Sequence, residues 1–481
     1  MSKKTLYFTL TNTRCKVEGK MKVLLKMMEA KELQVRHPSA FFIRQYMPPG
    51  WNGYMHVVTE RGYFQIGHLP MLIKWATDNG HSYKYIDNRP ELVINNVPKK
   101  VGNLKPRPYQ MDAVKSVVNQ DINGLHFPIG VLDCATNAGK TLMMAMVHLS
   151  IKDARTVMLI NDGDLYEQFK RELPELLGKE NVGFVRAKEE DWKQFTVCMV
   201  QTLSKNIAKF KPQLIKANVA LVDEADLADN KTYKTIMKHM YNTSCRVGLS
   251  GTIYMSKLAK HKLKNQNLKA FFSEITYKIT KKEMVEKGHS TNLVIKIVPG
   301  NTKQYKGETR DWQEVYDELI TNNLARHKVI LRRLQYNINY DRLPALVICR
   351  YHEHIQQVYE VIQKKLGKKY KIAIVHGGIK TKERNQIIQD FREGKIDILI
   401  GSYILRRGKN FPLIRYICQA SGSDSNETIS QIMGRGERKH KSKSKVVIDD
   451  IFDKGKYIER HSKHRISYYK KEGFRVIKLV K

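Results

Sequence analysis

The 481-residue chain has only six cysteines, Cys15, Cys134, Cys198, Cys245, Cys349 and Cys418, scattered without a Cys-x-x-Cys pair. That spacing argues against a structural zinc site and a disulfide framework, and fits a reducing compartment. No apolar run approaches the ~18 residues that a membrane span requires, so no span is expected. The opening MSKKTLYFTLTNTRCKVEGK turns polar too soon to hold the apolar stretch of a signal peptide. Acidic residues are scarce as well: 47 Asp and Glu stand against 85 Lys and Arg, a net charge of +38. Such an excess suits a polyanionic partner, with nucleic acid first; the bland alternative is a basic surface with no specific ligand. No basic amphipathic helix of the membrane-surface kind stands out.

Length and a hydrophobic content of 42% allow two or three domains. Over residues 1–100 the runs WNGYMHVV and GYFQIGH read as short strands, and LPMLIKWATDNG as a helix ending at Gly80. NNVPKKVGNLKPRP then reads as a linker or entry loop. Over 101–298, strand-like runs (IGVLDCA, TVMLIN, FTVCMVQT, ANVALVDEA, CRVGLSGT) alternate with helical ones (KTLMMAMVHLSI, DLYEQFKRELPELL). The rhythm repeats over 299–481, where WQEVYDELITNNLARHKVILRRLQ reads as one helix and KVVIDDI as the last strand. The expected architecture is α/β: two doubly wound parallel sheets behind a small α+β N-terminal domain.

Three clusters carry chemistry. ATNAGKT follows a strand and opens a helix. Gly139 would let the backbone wrap a phosphate, Lys140 would reach the β- and γ-phosphates, and the Thr141 hydroxyl would hold Mg²⁺. The full phosphate-loop pattern wants glycine where this chain has Cys134, so a chance strand-turn-helix is the competing reading. ALVDEAD brings Asp223 and Glu224 to a strand end, one to bind the metal and one to activate the attacking water. The competing reading is an acidic loop capping the next helix. QIMGRGERK places Arg435 and Arg438 three apart on one helical face, as donors for the transferred phosphate or as a basic surface helix.

In this order, RPYQ, ATNAGKT, VMLINDGDLYEQF, VQTLSK, DEAD, LSGT, LVICRYHEH, VHGG, ILIGSYILRRGKNFP and QIMGRGERK resemble the motifs of superfamily-two helicases over residues 105–450. The resemblance implies two tandem RecA-like domains with ATP and Mg²⁺ as cofactors. Gln110 would read adenine, and Arg107, Tyr109, Thr136, Asn137, Ala138, Gly408 and Gln431 would complete the nucleotide site. Thr141 and Asp223 would be the metal ligands, while Asp226, Ser250 and Thr252 would couple hydrolysis to the grip on nucleic acid. The DEAD letters do not by themselves indicate an RNA helicase. They are followed here by SGT and QIMGR, where the DEAD-box RNA family typically has SAT and HRIGR.

Across nearly the whole chain, GWNGYMHVV, FQIGHLPMLIKWATDNGHSYKYID, FFSEITYKITKKEMVEKGHSTNL and HSKHRISYYKKEGFRVIKLV are similar to phage recombination-repair helicases of the UvsW type. That likeness implies a DNA-dependent ATPase acting on single-stranded, forked or branched DNA, a DNA-binding N-terminal domain, and a monomer in a bacterial or phage-infected cytoplasm. General Ski2-like or XPB-like DNA translocases are the nearby alternative. An RNA helicase and a non-enzymatic annealing protein are the rivals in function. Nucleic-acid contacts are expected from Asn161, Gln201, Thr202, Arg350, Tyr351, His376, Gly377 and Ser402, at one edge of each sheet. Trp51 could stack on a base or sit in a core. YMSKLAKHKLKNQNLKAFF could lie along DNA or be a solvated surface segment.

Overall fold

The computed structural model describes residues 5–135, 137–251, 253–254, 259–300, 311–402, 411–423, 445–455 and 457–479. Two compact units form: Met1–Cys134 with Gly139–Lys278, and Ala135–Ala138 with Ile279–Lys481. The fold is α/β, with two large, mainly parallel sheets of the tandem RecA-like kind and a small N-terminal α+β sheet.

In the N-terminal sheet, β1 (Leu6–Leu10), β2 (Cys15–Glu18), β3 (Tyr63–Phe64) and β4 (Tyr83–Asp87) lie in the order β3-β2-β1-β4. Leu6, Phe8 and Leu10 are buried and Tyr7 is exposed, the alternation of a half-buried strand. Helix α1 (Leu69–Asp78) covers the inner face with Leu69, Leu72, Ile73, Trp75 and Ala76. It stops where expected, because Gly80 takes φ +71°, a left-handed conformation that side chains resist. This core does not close at residue 100: Leu125, Phe127 and Ile129 belong to it. Asn12 ties it further to the first large sheet. Its side-chain amide donates to Ser244 Oγ at 3.0 Å, and its backbone carbonyl accepts from the buried Arg246 guanidinium.

The first large sheet has eight strands. In chain order they are β5 (Ile129–Cys134), β6 (Thr156–Ile160), β7 (Val182–Arg186), β8 (Glu189–Glu190), β9 (Phe195–Met199), β10 (Val219–Asp223), β11 (Cys245–Ser250) and β12 (Ile275–Ile279). Their spatial order is β8-β7-β9-β6-β10-β11-β5-β12. Strands β5, β10 and β11 are buried at every residue, which explains why they read as unbroken apolar runs and not as alternating ones. Helices α2 (Pro108–Val118), α3 (Lys140–Leu149) and α4 (Gly163–Leu177) follow the linker, β5 and β6. The VQT expected to end β9 instead opens a short helix, Val200–Lys205.

Among the described residues the second sheet has seven strands, all parallel. They are β13 (Asn292–Pro299), β14 (Ala345–Ile348), β15 (Ile372–Val375), β16 (Ile398–Gly401), β17 (Tyr416–Gln419), β18 (Lys445–Phe452) and β19 (Arg475–Lys478), ordered β15-β16-β14-β17-β18-β13-β19. Two expectations change here. The 298/299 boundary falls inside β13, whose partners β18 and β19 come far later in the chain, a pairing that sequence order hides. KVVIDDI is not the last strand, because β19 adds an edge beyond β13.

The single helix expected from Trp312 is two. A first segment, Trp312–Tyr316, runs into a π-helical turn over Asp317–Thr321. Asn323 then caps a new helix, α5 (Leu324–Asn339), by accepting from Arg326 N–H at 3.0 Å.

Three arginines are paired with three aspartates within and just after β18. Arg326 holds Asp453 in a two-pronged pair at 2.8 and 2.9 Å, with both side chains fully buried. Arg465 holds Asp450, and the half-buried Arg333 holds Asp449 at 2.7 Å. Removing one member strands the other charge in a low-dielectric interior. Arg326→Leu is therefore expected to cost the second unit about 3–5 kcal/mol, checked by urea unfolding.

Candidate functional site

Parallel register brings the chemistry together. Strand β11 lies between β10 and β5, with Asp223 opposite Leu249 and Ser250 opposite Asp133. The phosphate loop, the DEAD turn and the SGT turn therefore leave three neighbouring strands at one end of one sheet. This is the edge where open α/β sheets bind ligands.

Cys134 is still extended as the last residue of β5, so the position tolerates a side chain where the usual loop has glycine. Burial pushes its thiol up to about 12, leaving it neutral. Gly139 is different. It has φ +81°, and a Cβ there would lie 2.3 Å from Gln110 Nε2. Asn137 is also left-handed, at φ +69°. Gln110 is buried on the first turn of α2, where its Oε1 accepts from Arg107 N–H at 2.9 Å. Arg107 Nη1 in turn donates to Tyr109 Oη at 3.1 Å, so these three expected nucleotide contacts form one local unit.

Lys140 opens α3. Burial works against its charge, but the nearby Glu224 and then Asp223 outweigh that and raise its pKa above the ordinary lysine value. The ammonium is thus fixed as a cation, facing two carboxylates. Asp223 is buried at the end of β10, and Glu224 is half-buried just beyond it. Glu224 adopts φ +51°, ψ +51°, a conformation that costs a non-glycine residue energy and turns the chain sharply after Asp223. Two residues on, the buried Asp226 accepts from Ser250 Oγ at 2.8 Å, joining the ends of β10 and β11. Thr141 Oγ1 donates to Glu172 Oε2 of α4 at 3.1 Å, and Gln168 Nε2 steadies the other oxygen at 2.9 Å. Glu172 was not signalled by any motif; its i,i+4 spacing from Gln168 is the only trace it leaves in the sequence.

The donor set suits Mg²⁺ carried by a nucleotide. Asp223 and Thr141 offer two hard oxygens, and no group of three His, Cys, Asp or Glu able to hold a metal occurs among the described residues. Mg²⁺ commonly takes few protein ligands and fills its shell with water and phosphate. Thr136, Thr252, Gly408, Gln431, Arg435 and Arg438 lie outside the described residues.

The expected nucleic-acid residues gather at two strand edges, one in each unit. In the first, Gln201 Nε2 donates to Asn161 O at 3.4 Å, and Thr202 Oγ1 accepts from Ala187 N–H at 3.1 Å. Neighbouring Asp162 is a helix cap, accepting from Asp164 and Leu165 N–H. In the second, Arg350, His376 and Ser402 follow the adjacent strands β14, β15 and β16. The Arg350 guanidinium packs over Tyr351 at 5.1 Å, Trp312 at 5.6 Å and Tyr316 at 5.8 Å. His376 lies 4.0 Å from the His352 ring, and its Nδ1 accepts from Gly378 N–H at 3.1 Å, with Gly377 exposed between them. Burial and then His352 lower its pKa.

Residues 103–255 match the family "Type III restriction enzyme, res subunit", and residues 329–440 match "Helicase conserved C-terminal domain". Together with the tandem RecA-like fold, the two matches place the chain among the superfamily-two helicases.

Among particular relatives, IRC3 of Saccharomyces cerevisiae, named as an ATP-dependent helicase, is 23% identical over 370 residues, 72% of this chain and 51% of its own. The chain spans about half the length of the curated relatives it matches. An HsdR-subunit fragment of a type I restriction enzyme from Vibrio vulnificus shares the fold at TM-score 0.57 and 17% identity, over 78% of this chain and 68% of that one. T4 UvsW aligns over 99% of both chains at 17% identity, with a TM-score of 0.46.

Gly139→Ala forces a Cβ into Gln110 and into a left-handed backbone. Its expected effect is loss of nucleotide affinity by about tenfold or more, measured by titration with a fluorescent ATP analogue.

Proposed function

We propose that the chain is an ATP-driven DNA motor that unwinds or branch-migrates forked and junction DNA in recombination, repair or replication. The observation that carries its ATP chemistry is the convergence of Lys140, at the start of the helix after β5, with Asp223 and Glu224 at the end of β10, one strand away at the same sheet edge. A lysine whose charged form is favoured by neighbouring carboxylates suits phosphate oxygens, and the paired carboxylates suit a metal and a water.

In this reading Gly139 and its flanking residues wrap the phosphates, while Gln110, with Arg107 and Tyr109 beside it, contacts the base. Lys140 neutralises the β- and γ-phosphate oxygens. Thr141, freed from Glu172, and Asp223 would hold Mg²⁺, which when bound would supply charge neutralisation of the phosphates. Glu224 orients the attacking water and takes its proton as the water oxygen bonds to the γ-phosphorus and the bond from that phosphorus to the ADP bridging oxygen breaks in line with it. Arg435 and Arg438 add positive charge for the transferred group. The Asp226–Ser250 bond carries the state of this site to the SGT turn, with Thr252 as part of the same link. Asn161, Gln201, Thr202, Arg350, Tyr351, His376, Gly377 and Ser402 grip the sugar-phosphate chain.

Preference for DNA rests on the SGT and QIMGR motifs and on the sequence likeness to UvsW-type helicases. The net charge of +38 supports a polyanionic track of either kind.

Lys140→Ala and Glu224→Gln are each expected to lower ATP turnover by at least about a hundredfold while binding to a DNA fork survives. Near-normal turnover in either variant contradicts the assignment. Ser250→Ala is expected to keep most ATP turnover but lose junction unwinding, read by separation of labelled strands. An equal loss of both activities would remove the coupling role.

A further inference from the structure

Between the antiparallel strands Gln34–Arg36 and Tyr54–His56 the chain makes an excursion over residues 37–53. Its base is fastened. His37 N–H donates to Gly53 O at 2.9 Å, and the Trp51 indole N–H donates to Tyr54 O at 2.8 Å. The Trp51 ring also meets His37 edge-on at 6.4 Å. Trp51, singled out in the sequence as a stacking candidate, is therefore a half-buried fastener at the foot of the excursion.

The exposed rings are others. The short helix Ala40–Ile43 and the turn Arg44–Tyr46 hold Phe41, Phe42 and Tyr46 at 88%, 74% and 80% exposure. Three rings within six residues left in water forgo burial that a folded chain normally gains, which calls for a ligand.

The surroundings indicate its chemistry. No Asp or Glu occurs between Glu32 and Glu60, whereas Arg36, His37, Arg44 and His56 do. The basic helix Ala259–Phe272 packs beside Gln34–Arg36 and the turn Ile66–His68, where His68 Nε2 meets Gln266 O at 3.0 Å. Lys262 on that helix is exposed. Self-association through this face would bring two strongly basic chains together, so a second copy fits poorly. Flat rings interleaved with cations suit nucleobases joined by phosphates.

We infer that the 37–53 excursion is a stacking platform for unpaired nucleobases. Phe41, Phe42 and Tyr46 supply the faces, and Arg36, Arg44 and Lys262 supply charge for the flanking phosphates. The inference deepens the motor reading by giving the first unit a contact for exposed single strand at a fork, and it rests on that reading for its role. The test is anisotropy titration, without ATP, of a labelled oligothymidine strand and of a blunt duplex of equal length. The full chain is compared with its Phe41→Ala/Phe42→Ala/Tyr46→Ala variant and with a version carrying Trp at all three positions.

The alanine variant is expected to melt like the parent and to lose about tenfold or more in affinity for the strand, with the duplex changing less than about twofold. The tryptophan version is expected to keep strand affinity. Unchanged strand affinity in the alanine variant overturns the inference. So does an equal loss on both probes, or a change confined to self-association or to binding of phosphatidylserine vesicles. A parent chain that binds the strand through these rings yet hydrolyses no ATP would defeat the motor reading alone.

Discussion

The site depends on one electrostatic arrangement: a lysine at the mouth of a helix facing two carboxylates at a strand end on the same sheet edge. Removing Lys140 from water should favour its neutral form, and Glu224 with Asp223 reverses that. The arrangement exists because β10, β11 and β5 are adjacent and parallel, so that three loops meet at one edge. A cation balanced by two anions is also a site prepared for exchange. An arriving polyphosphate with its metal can take over both halves of the balance without leaving a charge unpaired.

The backbone around this arrangement is bent to fit it. Gly139 is left-handed and would collide with Gln110 if it carried a side chain. Glu224 is left-handed although it carries one. Strain of that kind persists where the surroundings over-determine it, and here Asp226 and Ser250 pin the turn from the far side. In the second unit the stiffening is of another sort. Arg326, Arg333 and Arg465 are paired with Asp453, Asp449 and Asp450 in or beside a sheet whose strand ends carry Arg350, His376 and Ser402. These pairs favour a single packing arrangement, since any alternative leaves an interior charge without its partner.

Much of this was legible because phosphate chemistry constrains both residue type and spacing. ATNAGKT and VDEAD announced a strand-loop-helix and a strand end, and both are present. What stayed hidden was non-local. Glu172 reaches Thr141 from a different helix, and nothing in the phosphate-loop pattern points to it. β13 pairs with β18 and β19 across most of the second unit, a partnership that chain order does not display. The break at Asn322 and Asn323 hid inside an otherwise helical pattern, because one capping side chain is a weak signal beside a run of apolar periodicity. Trp51 reads as a candidate for stacking or for a core, whereas no motif singles out Phe41, Phe42 and Tyr46. Periodicity shows that aromatic residues are present but does not show whether a neighbouring element covers them.

The most direct test of the central claim is ATP turnover by the intact chain with no nucleic acid, single-stranded DNA, duplex DNA, a four-way DNA junction and matched RNA. The account predicts strong stimulation by DNA, with the junction unwound or migrated as ATP is consumed. Stimulation by RNA alone, or turnover indifferent to every nucleic acid, would contradict it.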